Sequence, residues 1–150
     1  MSIWRPHPEI RVKALGLHWR DRRLLAAEVL DDQRQVKGVR PLGGSVMFGE
    51  TAQDAVVREF KEELDLDIQT AGSPFFMENL FTHEGSNGHE VLIIFNVVFP
   101  AGAFADETRI TFQEDNGVTC HAEWFDLDRL DVPGTPQLFP QGLKTCLQHA

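Results

Sequence analysis

Residues Thr51 to Leu64 carry the clearest helical pattern in the chain, and its surroundings decide what that helix can pack against. Thr51 can cap the backbone N–H groups of the first turn, with Asp54 three residues on in the reciprocal position. Ala52, Val56, Phe60 and Leu64 recur every four residues, so one stripe faces a core. The segments around it read as strands. Ile10–Leu17 alternates loosely with period two, and Arg20-Asp21-Arg22 predicts a turn into a second strand, Leu24–Leu30, that ends at Asp31-Asp32. A short segment near Val36–Val39 precedes Pro41-Leu42-Gly43-Gly44, where paired glycines let the backbone approach a neighbour closely. Ile68–Phe81 and Val91–Phe99 are predicted strands around a polar loop, Thr82–Gly88. Thr108–Phe112 and Cys120–Phe125 are shorter strands, and Leu138–Gln148 is a terminal helix whose first turn Pro140 and Gly142 weaken. Strands interspersed with two or three helices predict an α/β domain with a mixed sheet.

Length and composition bound the function. A chain of 150 residues and 17.0 kDa is read as one domain, residues 1–150. It buries roughly 68–70% of its unfolded surface and needs no disulfide or zinc staple. Its 42% hydrophobic and 25% charged residues are ordinary globular usage. The net charge of −9 disfavours general nucleic-acid binding, because that affinity comes mainly from cationic contacts. A phosphorylated substrate needs a divalent cation to mediate its contact with such a surface. Cys120 and Cys146 form no CxxC pair and no disulfide framework. The first residues lack the apolar run of a signal peptide, and Val91–Phe99 is too short to cross a bilayer. The expectation is a soluble, cytoplasmic protein without membrane contact.

The helix carries the chemistry. Glu59, Glu62 and Glu63 stand at i, i+3 and i+4, placing three carboxylates on one patch. Like charges at that spacing oppose helix formation by a few tenths of a kcal/mol per pair, and Arg58, four residues before Glu62, offsets only part of it. A solvated acidic face is the ordinary reading of such a patch taken alone. Hard divalent cations such as Mg2+ are the other reading, since they bind one or two carboxylates plus substrate phosphates. A glycine-rich loop before the helix could add a main-chain carbonyl.

The patch does not stand alone. Gly44-x5-Glu50-x7-Arg58-Glu59-Phe60-x-Glu62-Glu63-x-Asp65-Leu66 resembles the Nudix box, G-x5-E-x7-R-E-U-x-E-E-x-G-U, where U is bulky and apolar. The one departure is Asp65, where the family has glycine. That glycine falls at the helix C-terminus, where a left-handed residue often ends the helix, and Asp reaches this conformation more readily than most residues. The resemblance implies an α/β/α sandwich. It also implies a hydrolase that cleaves the diphosphate of a nucleoside diphosphate linked to another moiety, by water attack on phosphorus.

Roles carry over residue by residue. Glu59, Glu62, Glu63 and the main-chain carbonyl of Gly43 would hold Mg2+ or Mn2+. Arg58 would orient a glutamate rather than touch substrate, and Glu50 would support the ligands. The general base is open among Glu59, Glu90, Glu107, Glu114 and Glu123, with Glu59 favoured as ligand or base. A nucleotide-binding module without turnover is the alternative, opposed by the intact charged set. An isomerase of the same fold would need further catalytic residues that the sequence does not locate. The substrate class spans nucleotide sugars, ADP-ribose-like compounds and nucleoside triphosphates, because specificity lies outside the box.

Other signals are weaker. His83, His89 and Cys120-His121 lack zinc-ligand spacing. Phe75, Phe76, Phe81, Phe95, Phe99, Trp124 and Phe125 are expected mainly in the core. Trp4 and Trp19 are candidates for a dimer contact or a substrate wall, which leaves a homodimer open. Lys37 and Arg40 could meet a phosphate, or be ordinary solvated strand ends.

Overall fold

The computed structural model describes residues 3–114 and 116–149. Its elements run β1 (Ile10–Leu17), β2 (Trp19–Arg20), β3 (Arg23–Leu30), β4 (Val36–Arg40), β5 (Leu42–Ser45) and α1 (Ala52–Leu64). They continue through β6 (Gln69–His83), β7 (Ser86–Val98), β8 (Arg109–Gln113), β9 (Thr119–Asp126), a short 3-10 turn at Leu127–Arg129, β10 (Gln137–Leu138) and α2 (Leu143–Gln148). The strands form two sheets rather than one. The first has the order β5-β1-β7-β6, and the second β10-β4-β3-β9-β8 with β2 paired to β3. Both are mixed: β1 runs parallel to β7 and β10 parallel to β4, while the other pairs are antiparallel.

Ala14–Leu17 of β1 and Leu24–Ala27 of β3 are buried on both faces, which explains why the alternation of these strands in sequence is loose. Ala14, Leu25, Ala27, Phe95 and Val97 join Val56, Phe60 and Leu64 of α1 in one core. Leu15, Leu24, Ala26, Leu92 and Ile94 join Leu143 of α2 in a second. The helices therefore lie against separate cores, the layering of an α/β/α sandwich. Each fully buried Phe, Leu or Val of α1 contributes about 1.5–3 kcal/mol by leaving water.

Four expectations change. Leu42-Gly43-Gly44-Ser45 is a strand and not a loop, because β1 offers it an antiparallel edge from Lys13 to Gly16. The polar stretch Thr82–Gly88 is a hairpin. Glu84 and Gly85, at φ 47° and 85°, supply the tight two-residue turn, and pairing continues to His83↔Ser86. The terminal helix starts only at Leu143, since Leu138 pairs with Val39 in β10 and Gly142 sits at φ 94°. Phe76 is also not in the core: it is 76% exposed on β6, whereas Phe95 is buried. No helix among the described residues is long and apolar enough to cross a membrane.

The caps of α1 follow its sequence. The Asp54 N–H donates to Thr51 Oγ1 at 3.0 Å. Asp65 ends the helix at φ 55° and ψ 39°, its N–H donating to Lys61 O. The left-handed turn of the family glycine is thus present with an aspartate, and Lys61 Nζ sits 3.0 Å from the Asp65 carboxylate at the negative helix end. Asp65→Gly should change stability by no more than ~1 kcal/mol, since relief of strain and added unfolded-state entropy oppose each other. Asp65→Val should destabilise by roughly 1–3 kcal/mol, because a β-branched residue resists positive φ. Urea unfolding of both variants checks the pair.

Candidate active site

The register of β1 and β5 sets the site. Gly44 lies opposite Ala14. A Cβ at Gly44 would stand 2.4 Å from Glu59 Cδ, so only glycine leaves room for that carboxylate. Glu59 is consequently buried, at 6% exposure, an unusual position for a charged group without a partner.

The partner is Arg58. Its Nε and Nη2 donate to the two Glu50 carboxylate oxygens at 2.7 and 2.9 Å, a bidentate pair. Nη2 also donates to the Ser45 carbonyl at 3.0 Å, and Nη1 to Glu59 Oε1 at 3.0 Å. Contacts from Nη1 to Glu62 are longer, 3.3 and 3.4 Å, and Glu62 is 42% exposed. Glu50 accepts the Met47 N–H as well, at 3.0 Å. The Arg58 hydrogen bond, then that of Met47, holds the Glu50 carboxyl down at about 2. The carboxylates in turn raise Arg58.

Glu63 has the opposite surroundings. Burial first, then the neighbouring Glu59 and Glu114, pushes its carboxyl up to about 9, against the pull of Arg40. Arg40 Nη2 itself donates to Glu114 at 3.0 Å. The nearby Cys120 thiol is pushed up to about 12, chiefly by burial and then by Glu114.

Glu59, Glu62, Glu63, Gly43 and Gly44 all line a cleft of about 1590 Å3. Among the described residues no three carboxylate, imidazole or thiol groups close into a finished cage. The donor set still suits a hard divalent cation. It offers oxygen atoms only, one carboxylate is buried, and another is pushed toward protonation by burial and then by its like-charged neighbours.

Of the five candidate bases, Glu59, Glu90 and Glu114 line the cleft, whereas Glu107 and Glu123 lie outside its wall. The zinc alternative gains nothing, because its residues have separate partners. Lys37 Nζ donates to His83 Nδ1 at 3.1 Å, His89 lies 3.8 Å from Glu78, and His121 meets Thr111. Lys37 and Arg40 both face the cleft, so they are not merely solvated strand ends. Trp4 lines the cleft, while the Trp19 indole N–H donates to Asn96 Oδ1 at 3.2 Å. Sequence reasoning missed the Ser45 carbonyl, the Arg40–Glu114 pair and the Lys13–Glu90 pair at 2.8 Å. No spacing signals them, since each joins residues from different elements of the fold.

Fold and site together define an α/β protein with a clustered, arginine-braced set of carboxylates at a large cleft. A family model described as NUDIX domain matches residues 10–145; the chain belongs to the Nudix family and is a pyrophosphohydrolase by class. No curated protein matches the chain. Among solved structures it is similar to the E. coli ORF135 protein, at TM-score 0.61 and 19% identity over 94% of this chain and 90% of that one. It is also similar to the MutT NUDIX hydrolase from Burkholderia pseudomallei, at TM-score 0.57 and 23% identity over 91% and 95%. An ADP-ribose pyrophosphatase from Streptococcus suis matches at TM-score 0.50 and 18% identity over 91% and 87%. These likenesses show the shared fold.

The Glu50–Arg58 pair makes stability depend on pH. A carboxyl titrating at about 2 when folded, against an ordinary 4.5, stabilises the fold above pH 4.5 and loses that contribution as pH falls toward 2. Glu50→Gln should therefore be less stable than wild type at pH 7, with the gap closing between pH 4.5 and 2. Parallel urea midpoints for both proteins across that range would contradict it.

Proposed function

We propose that this chain is a Mg2+- or Mn2+-dependent hydrolase that cleaves the diphosphate linkage of a small nucleoside-diphosphate derivative. Nucleotide sugars, ADP-ribose-like compounds and nucleoside triphosphates are the substrate classes. The observation that carries the reading is the buried Glu59 set between Arg58 and Gly44, with Glu62 and Glu63 on the same helix face, all opening on one cleft.

Glu59, Glu62, Glu63 and the Gly43 carbonyl are the groups that would hold the cation. When bound, it supplies charge neutralisation to the diphosphate and activation of the attacking water. The chain does the rest. Arg58 spends its donors on Glu50, Glu59 and Ser45, which fixes the rotamers of the box and keeps the guanidinium off the substrate. Glu59 is ligand or base. Lys37 and Arg40, on the same wall, offer positive charge to the phosphates in an otherwise acidic molecule. The acidic surface, the absence of an apolar spanning helix among the described residues and a small-molecule cleft fit a cytoplasmic enzyme that binds neither nucleic acid nor membrane.

Hydrolysis of nucleoside triphosphates, nucleotide sugars, ADP-ribose, dinucleotide cofactors and dinucleoside polyphosphates, in Mg2+ and then Mn2+, tests the reading and selects the substrate. On the substrate found, Glu62→Gln and Glu63→Gln should each lower kcat at least ~100-fold at saturating metal. Variants keeping more than about a tenth of wild-type kcat would place the site elsewhere.

A further inference from the structure

The face of the first sheet that carries α1 is only partly covered. Pairing places Ile10, Val12 and Ala14 of β1 beside His89, Val91 and Ile93 of β7, and these beside Leu80, Glu78 and Phe76 of β6. The core under α1 takes in Ala14 and Ile93. Beyond that row the face is open. Phe76 is 76% exposed, Leu80 70%, Ile10 63% and Val12 38%, with Val91 half-buried among them. On the other side of β1 the Val46 N–H donates to the Val12 carbonyl. The two residues that follow, Met47 and Phe48, are exposed as well, Phe48 fully. Single exposed apolar residues are ordinary, but a contiguous group marks an interaction surface. The substrate cleft lies along the opposite face, lined by Lys13, Phe81 and Glu90, and meets this surface at Ile10, Met47, Leu80 and His89.

Strand β6 is also a free edge: among the described residues it pairs with β7 alone. Its first half is blunted as a protected edge is, by Gly72 at φ 70°, by Pro74 and by a register shift between Ala71 and Phe75. Its second half, residues 75–83, has no proline, lysine or arginine and one carboxylate, Glu78. The surface is self-complementary. Under a two-fold axis its apolar residues meet apolar residues, and Glu78, 3.8 Å from His89 within one copy, can pair with that imidazole reciprocally across the axis. Elsewhere a net charge of −9 keeps two copies apart, so this nearly uncharged face is where they can meet. At about 150–250 Å2 for each phenylalanine, the exposed surface of Ile10, Val12, Met47, Phe48, Phe76 and Leu80 comes to roughly 800 Å2, the share each partner buries in a standard interface.

We infer that the chain forms a two-fold dimer through β6 and the apolar face beside it, Phe76 of each copy packing near Leu80 of the other. The tryptophans are engaged elsewhere: Trp4 rests on His83 and Lys13 at the opposite face, and Trp19 on Asn96. The dimer stands independently of the hydrolase reading.

Sedimentation equilibrium from low-micromolar to several-hundred-micromolar protein tests it. Wild type should rise with concentration from 17.0 kDa toward twice that mass. A carboxylate in the centre of the contact has no partner there, so Phe76→Glu and Leu80→Glu should each raise the dimer Kd at least ~30-fold, while Val132→Glu, at an exposed apolar position outside this face, stays within about threefold. Melting temperatures at the lowest concentration should agree, because each substituted side chain is exposed in the single copy. Amide exchange on wild type gives a readout that needs no variant: protection at residues 75–83 should increase with concentration, and that at residues 132–136 should not. Wild type at 17.0 kDa throughout overturns the inference, as does an unchanged Kd for Phe76→Glu and Leu80→Glu. A loss in Val132→Glu equal to that in Phe76→Glu, or unchanged exchange at residues 75–83 while the mass doubles, would place the contact elsewhere and overturn it too.

Discussion

A single guanidinium determines how the acidic residues of this molecule coexist. Arg58 has five N–H donors in a planar fork, and it directs them at Glu50, Glu59, Glu62 and the Ser45 carbonyl. The best geometry goes to Glu50, which is fully ionised and satisfied. Glu59 receives one good hydrogen bond and Glu62 two long ones. Glu63 receives none of these, and burial among carboxylates leaves it favouring its protonated form. One positive charge is thus spread over a patch that carries more negative charge than it can balance.

That imbalance is stable only because other interactions fix α1. Val56, Phe60 and Leu64 bury the adjoining stripe of the helix in the core, so repulsion among the glutamates cannot rotate it away. Glycine at position 44 then lets the buried carboxylate reach the sheet surface. At the far end, Asp65 takes the left-handed turn and is paired with Lys61, so the departure from the family glycine leaves the helix terminus intact. Along α1, local propensity and tertiary packing conflict at the carboxylate patch, and functional sites are where such conflict is expected.

Much of this was legible in the sequence because it depends on short-range spacing. The Thr51 cap, the apolar stripe, the glutamates at i, i+3 and i+4 and the box itself need only the geometry of one helix. Strand β5 was not legible, since Leu42-Gly43-Gly44-Ser45 has no propensity of its own and becomes a strand because β1 pairs with it. The Glu84-Gly85 hairpin was obscured by polar residues on both arms, whose pairing partners lie in the neighbouring strand. Long-range side-chain pairs were invisible for the same reason: Arg40 and Glu114 are 74 residues apart, and Arg5 and Asp32 are 27 apart. Arg40, Glu114 and Asp32 from those pairs line the cleft.

The central claim is that the glutamate patch on α1 is a specific divalent-cation site, and thermal melts test it most directly. Wild type and Glu63→Gln are compared in chelator, in Mg2+ and in NaCl of matched ionic strength. A cation bound only by the folded state at ten times its Kd stabilises by about 1.4 kcal/mol, a rise of roughly 3–6 °C for a domain of this size. The account predicts that rise for wild type in Mg2+ but not in NaCl. It predicts a blunted response for Glu63→Gln, whose melting temperature in chelator equals or exceeds that of wild type. Equal shifts of both proteins by Mg2+ and NaCl would show diffuse screening of an acidic surface, and would contradict a metal site at this helix.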